Sequence, residues 1–147
     1  MNTPDIFHHN RVILTHFDSY SAALLFPRWE KSLLWPAALP DAATPMPSPA
    51  VIEPAFSGSA VKLALVQRCG LNPDELKRVN EFNHWAQTES GPVRIHLLRF
   101  TSFEAPKAAI RALGGEFKPI SLLRGSAMSE LLLLREVFNL IVGAGGN

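Results

Sequence analysis

Residues 93–123 read VRIHLLRF TSFEAPKAAIRALGG EFKPISLL, and the fold class turns on this stretch. Val93 to Phe100 has the apolar density of a strand, although Leu97-Leu98 disturbs strict alternation. Ser102 is placed to cap a following helix, with Glu104 in its first turn and Pro106 early enough to be tolerated. Phe103, Pro106, Ile110 and Leu113 then recur at helical spacing, and Gly114-Gly115 ends them. Residues 116–123 give a second strand, in which Pro119 argues for a sheet edge. Strand, helix, strand in ~30 residues predicts a βαβ unit. The expected fold is therefore α+β: a short sheet containing this unit, with flanking helices, preceded by a proline-rich arm.

Toward the C-terminus the spacing predicts a helix from about Met128 to Val142, followed by Gly143, Gly145 and Gly146. Met128, Leu131, Leu134, Phe138 and Ile141 form a stripe expected to face the core. Leu133, Val137 and Leu140 form a second stripe beside it. A helix that is apolar over so much of its circumference is buried on more than one side. Leu133, Val137 and Leu140 are accordingly the expected self-association interface, and the chain is expected to be a homodimer.

Toward the N-terminus, Ala60 to Cys69 reads as a buried helix, with Ser59 as a cap and Gly70 as its stop; a strand is the alternative. Asn72-Pro73-Asp74-Glu75 carries strong helix-start chemistry, and Leu76, Val79, Phe82, Asn83 and Ala86 then share one face. This predicts a helix over 73–87. Val66, Gly70 and Leu76 fall at helix-turn-helix spacing, so the second helix could present Lys77, Arg78, Asn80, His84 and Gln87 to nucleic acid. Asp74 and Glu81 oppose that reading, because carboxylates repel phosphates.

Residues 60–147 thus make the compact α+β core domain. Residues 36–59 hold Pro36, Pro40, Pro45, Pro47, Pro49 and Pro54, which predicts an extended, proline-rich connector. Residues 1–35 read as an aromatic arm. In it Phe26, Trp29 and Trp35 are expected to dock on the core, with Trp85 as one landing place; a groove on a partner chain is the alternative.

The function classes narrow by exclusion. A net charge of +1 gives no overall field for nucleic acid or membrane. The single Cys69 suits a reducing compartment. Neither a secretory leader nor an apolar run long enough to span a bilayer is read, so a cytoplasmic protein with no membrane contact is expected. His8, His9 and His16 lie near Asp5 and Asp18, but adjacent histidines point apart and do not converge on a metal. There is no Gly-x-Ser-x-Gly elbow, and Gly114-Gly115 stands at the wrong end of its helix to hold an anion. No catalytic residue, metal or cofactor is predicted. The expected function is a non-enzymatic interaction or accessory protein that associates with itself and with an unidentified protein partner. A helix-turn-helix transcriptional regulator is the alternative.

Overall fold

A computed structural model describes residues 5–143; Gly145 and Gly146 lie outside the described residues. The strands are β1 (Asn10–Asp18), β2 (Ala23–Trp29), β3 (Thr44–Met46), β4 (Leu76–Arg78), β5 (His84–Thr88), β6 (Gly91–Phe100) and β7 (Gly115–Pro119). They form one seven-stranded sheet in the order β3-β5-β6-β1-β2-β7, with β4 pairing on β6 beyond the end of β5. Only β1 and β6 pair in parallel; the other pairings are antiparallel. The helices are α1 (Gly58–Cys69), α2 (Lys107–Ala112) and α3 (Met128–Phe138).

The apolar run that opened the sequence reading becomes β6, inside the sheet. Leu97-Leu98 breaks alternation because both faces of this strand are covered, as central strands with two packed layers require. Ile95 and Leu97 join Ile13, Leu24, Phe26, Leu133, Leu134 and Val137 in a core that includes α3. Leu98 and Phe100 join Val12, Leu14, Val61, Leu65 and Ile110 in a second core that includes α1 and α2. The protein is α+β, and its sheet is larger than the short one expected.

Several expectations are corrected. Of the expected arm over 1–35, residues 1–4 lie outside the described residues, and the rest supply β1 and β2, two interior strands, rather than an arm. The proline-rich segment is more than a connector: it adds β3, an edge strand where Pro45 costs no ladder bond on the outer side. The predicted helix over 73–87 does not form. Asn72 does cap, its Oδ1 accepting from Asp74 N–H, but the helix it starts is one 3-10 turn, Pro73–Glu75. The chain then pairs twice with β6, as β4 and as β5. Sheet pairing and burial of Leu76, Trp85 and Thr88 override the local start signal.

The strand–helix–strand arch over 93–123 is present as β6, α2 and β7. The two strands run in the same direction, because each is related to β2 through antiparallel steps. They do not pair, however, since β1 and β2 lie between them. Pro119 does sit on an edge strand, as its missing N–H requires.

Candidate functional site: a two-arginine cavity beside α1

The partner of β6 changes along its length. β5 pairs with it up to Ile95, and β4 from Leu98 onward. Between these points the chain leaves the sheet, turns, and returns, with Val79 N–H donating to the Leu97 carbonyl at 3.0 Å. A cavity of about 250 Å³ opens at this discontinuity, lined by Ser57, Gly58, Arg78, Asn80, Arg94 and His96 together with apolar side chains. The first turn of α1 forms one wall. Lys62 holds the helix there, its Nζ donating to the Leu76 carbonyl at 2.8 Å.

Alternation along β6 puts Arg94 and His96 on the α1 side with Leu98 and Phe100. Arg78 shares that face of β4 with Leu76. Arg94 lies over the Trp85 ring, its guanidinium carbon 5.6 Å from the centroid, and Nη1 donates to the Phe56 carbonyl at 2.9 Å. Its Nε is buried without a hydrogen-bond partner among the described residues. Burial, and then the charge of Arg78, push the Arg94 pKa down from its usual value. Arg78 crosses the start of α1 closely: a Cβ at Gly58 would stand 2.9 Å from Arg78 Nη1 and 3.3 Å from its Cδ.

The N-terminal end of α1 adds a third positive element. Ser57 caps it, its Oγ accepting from Ala60 N–H at 3.4 Å and its carbonyl from Val61 N–H at 3.0 Å. Among the described residues, Gly58 and Ser59 N–H have no such acceptor. No carboxylate among the described residues lines the cavity. The ion pairs among the described residues, Arg68 with Asp5 and Lys118 with Glu116, involve neither of its arginines.

His96 is neutral here. Asn10 Nδ2 donates to the Ile6 and Ala55 carbonyls at 2.9 Å each, which turns Oδ1 toward His96 and makes Nε2 the protonated ring nitrogen of a 2.7 Å bond. Burial chiefly, with the charges of Arg94 and Arg78, lowers its pKa to about 3.

A second cleft, of about 410 Å³, lies at the β7 edge between Arg28, Glu30, Arg111, Gly114, Gly115, Glu116 and Lys118. Both signs of charge line it, and Lys118 Nζ is 3.5 Å from Glu116 Oε2; Arg28 Nε, like Arg94 Nε, is buried without a hydrogen-bond partner among the described residues.

The residues singled out by sequence are dispersed. Of the helix-turn-helix set, Arg78 and Asn80 line the cavity. Lys77 lies on β4, and His84 and Gln87 on β5, so no single helical face presents the set. Leu133 and Val137 are buried in the chain's own core, with Leu140 packed against it. On α3 it is Met128, Leu132 and Phe138 that are exposed. The helix is phased by Glu130, a buried carboxylate that accepts from Ser32 Oγ at 2.7 Å and Leu33 N–H at 2.9 Å. Phe26, Trp35 and Trp85 are buried, but on separate surfaces: Phe26 faces the α3 core, Trp35 packs edge-on to Phe7, and Trp85 meets Phe56. Trp29 covers Gly115, where an added Cβ would stand 2.4 Å from the indole.

His8 is exposed, whereas His16 is buried and bonded through Nε2 to the Ser102 carbonyl at 2.8 Å. No group of three or more His, Cys, Asp or Glu among the described residues is placed to hold a metal ion. Burial pushes the Cys69 thiol up to about 11, so it is protonated at neutral pH. No helix among the described residues is long and apolar enough to cross a membrane.

Sequence reasoning missed Arg94 and His96 as a site. The available signal was their i, i+2 spacing on an otherwise apolar strand, which puts two polar side chains on one covered face. Compared with known proteins, the chain matches no family model and no curated sequence.

Proposed function

We propose that this chain is a non-enzymatic binding protein whose cavity between α1, β4 and β6 holds a small anion bearing a phosphate or carboxylate group. One observation carries the reading: Arg78 and Arg94 line one partly open cavity at the positive end of a helix, with no carboxylate among the described residues lining it. Two guanidiniums and a helix N-terminus repel one another at close quarters, and an oxyanion between them converts that repulsion into charge-assisted hydrogen bonds. Arg94 Nε has an unused donor for that purpose. The volume, about 250 Å³, is below the ~300–1,000 Å³ of drug-sized sites, which suits inorganic phosphate or a small acid. The ionisable groups lining the cavity are two arginines and a neutral histidine already bonded to Asn10. They supply binding groups rather than an acid–base pair.

Calorimetric titration with inorganic phosphate and with citrate, at ionic strength fixed by sodium chloride, tests this. Saturable binding of one of them is expected, weakened about tenfold or more in Arg94→Gln, as loss of a charge-assisted contact of ~1.5–3 kcal/mol implies. Absence of saturable heat with both anions would overturn the reading. So would an Arg78→Gln/Arg94→Gln variant that binds like the wild type.

A further inference from the structure

The free edge of the sheet is self-complementary, and we infer that two copies of the chain pair antiparallel through β7, on a two-fold axis at Phe117. Among the described residues β7 pairs only with β2. Trp29, opposite Gly115 in that ladder, exchanges both its backbone bonds with Ser32, at 2.7 and 3.0 Å. Its N–H and C=O therefore point away from β7. By the alternation of antiparallel ladders, Trp29–Gly115, Pro27–Phe117 and Leu25–Pro119 are the pairs without mutual bonds. Pro27, which has no N–H, fits such a position. Leu25 fits as well, because its carbonyl accepts from Thr15 Oγ1 on the opposite side at 2.9 Å. The backbone groups of Gly115, Phe117 and Pro119 consequently face outward.

Centring a second β7 on Phe117 satisfies all of them except the Gly115 carbonyl. The two Phe117 residues exchange N–H···O=C bonds, and each Gly115 N–H reaches the partner's Pro119 carbonyl. The proline lacks only its own donor. In the same register Glu116 stands opposite the partner's Lys118, and Lys118 opposite the partner's Glu116. A shift along the strand loses both opposite-charge pairs. Within one chain these two side chains already pair at 3.5 Å on the surface, so the contact across the axis extends an existing charge pattern. A two-fold contact of this kind is closed. It consumes both copies of this edge; the remaining outer strands are β3, with Pro45 within it, and β4, both only three residues long. The product is a dimer rather than a fibre.

Analytical ultracentrifugation from micromolar to millimolar concentration, with charge variants on the edge, tests the pairing. The wild type is expected to show a reversible monomer–dimer equilibrium. Lys118→Glu, which sets glutamates opposite one another, should weaken it at least tenfold. Glu116→Lys combined with Lys118→Glu restores opposite charges across the axis and should recover most of that loss. Amide exchange at Phe117, slowing as concentration rises, provides a readout on the unmodified chain. A wild type monomeric at millimolar concentration would overturn the inference. A dimer indifferent to both variants, with Phe117 exchange independent of concentration, would also overturn it and move the contact to exposed Met128, Leu132 and Phe138 on α3.

Discussion

The cavity beside α1 and the cleft at the β7 edge both collect cationic side chains, yet they differ in what stands opposite the charge. At the edge, Arg28, Arg111 and Lys118 share a cleft with Glu30 and Glu116, so acids line it beside the bases, and Lys118 pairs with Glu116. Beside α1, Arg78 and Arg94 share a partly open cavity with a helix N-terminus and a neutral imidazole, and no acid among the described residues lines it. Counting basic residues would rank the edge first. Counting bases against the acids that line the same cavity ranks the cavity beside α1 first, and that balance is what an incoming anion experiences.

The largest effect expected from this difference is in stability against pH. The cavity holds His96, whose folded pKa of about 3 lies well below its ordinary value of 6.5. Between those values the unfolded chain binds a proton that the folded chain refuses. The stabilisation is complete above about pH 6.5 and is lost progressively as pH falls toward 3. At ~1.4 kcal/mol per unit the full window is worth several kcal/mol. Urea unfolding of the wild type and of His96→Gln at pH 7 and 4.5 checks it. The loss on acidification should be smaller in the variant by ~2 kcal/mol. Equal losses would mean that His96 is not held neutral by its surroundings.

Each region also contains a glycine under a large side chain, and the two should respond differently. At the edge, a Cβ on Gly115 would stand 2.4 and 2.5 Å from the Trp29 ring and 3.0 Å from Ile110. A packed indole cannot retreat, so Gly115→Ala should cost ~1–3 kcal/mol by overpacking. At the cavity, the atoms met by a Cβ on Gly58 belong to the Arg78 side chain, whose end can swing away. Gly58→Ala should leave stability within ~0.5 kcal/mol but weaken phosphate binding several-fold, because the guanidinium is displaced. Thermal unfolding and calorimetry on the two variants separate these outcomes. The comparison fails if Gly58→Ala unfolds the protein as readily as Gly115→Ala does.

Much of the fold was legible where local chemistry and tertiary context agree. The Gly70 stop is real, in the left-handed region at φ 66°, and α1 begins two residues before its expected start, capped by Ser57. β6 and the edge placement of Pro119 were readable for the same reason. The segment 73–87 was misread because Asn72 and Pro73 are good start signals that govern one turn, whereas strand pairing with β6 governs the rest. Residues 1–35 were misread because β1 and β2 lie inside the sheet, and their apolar runs lack the alternation that marks half-exposed strands. On α3 both apolar stripes are readable, but Leu133 and Val137, expected to face a second chain, lie in the chain's own core with Leu134, whereas Met128 and Phe138 of the expected core stripe are exposed. A buried acid, Glu130, sets the helix rotation through Ser32 and Leu33, nearly a hundred residues away. The cavity was illegible for a related reason. Arg78 and Arg94 come together only because β4 and β5 share one neighbour, a fact of topology that spacing along the chain does not encode.

The most direct test of the anion site is nitrogen-detected NMR of the arginine side chains and backbone amides during titration with phosphate. The account predicts that Nε–H of Arg94 and Arg78 and the amides of Gly58 and Ser59 shift together and saturate together, while Arg28 and Arg111 stay in place. Equal shifts at Arg28 and Arg111, or no saturable shift at Arg94, would contradict it.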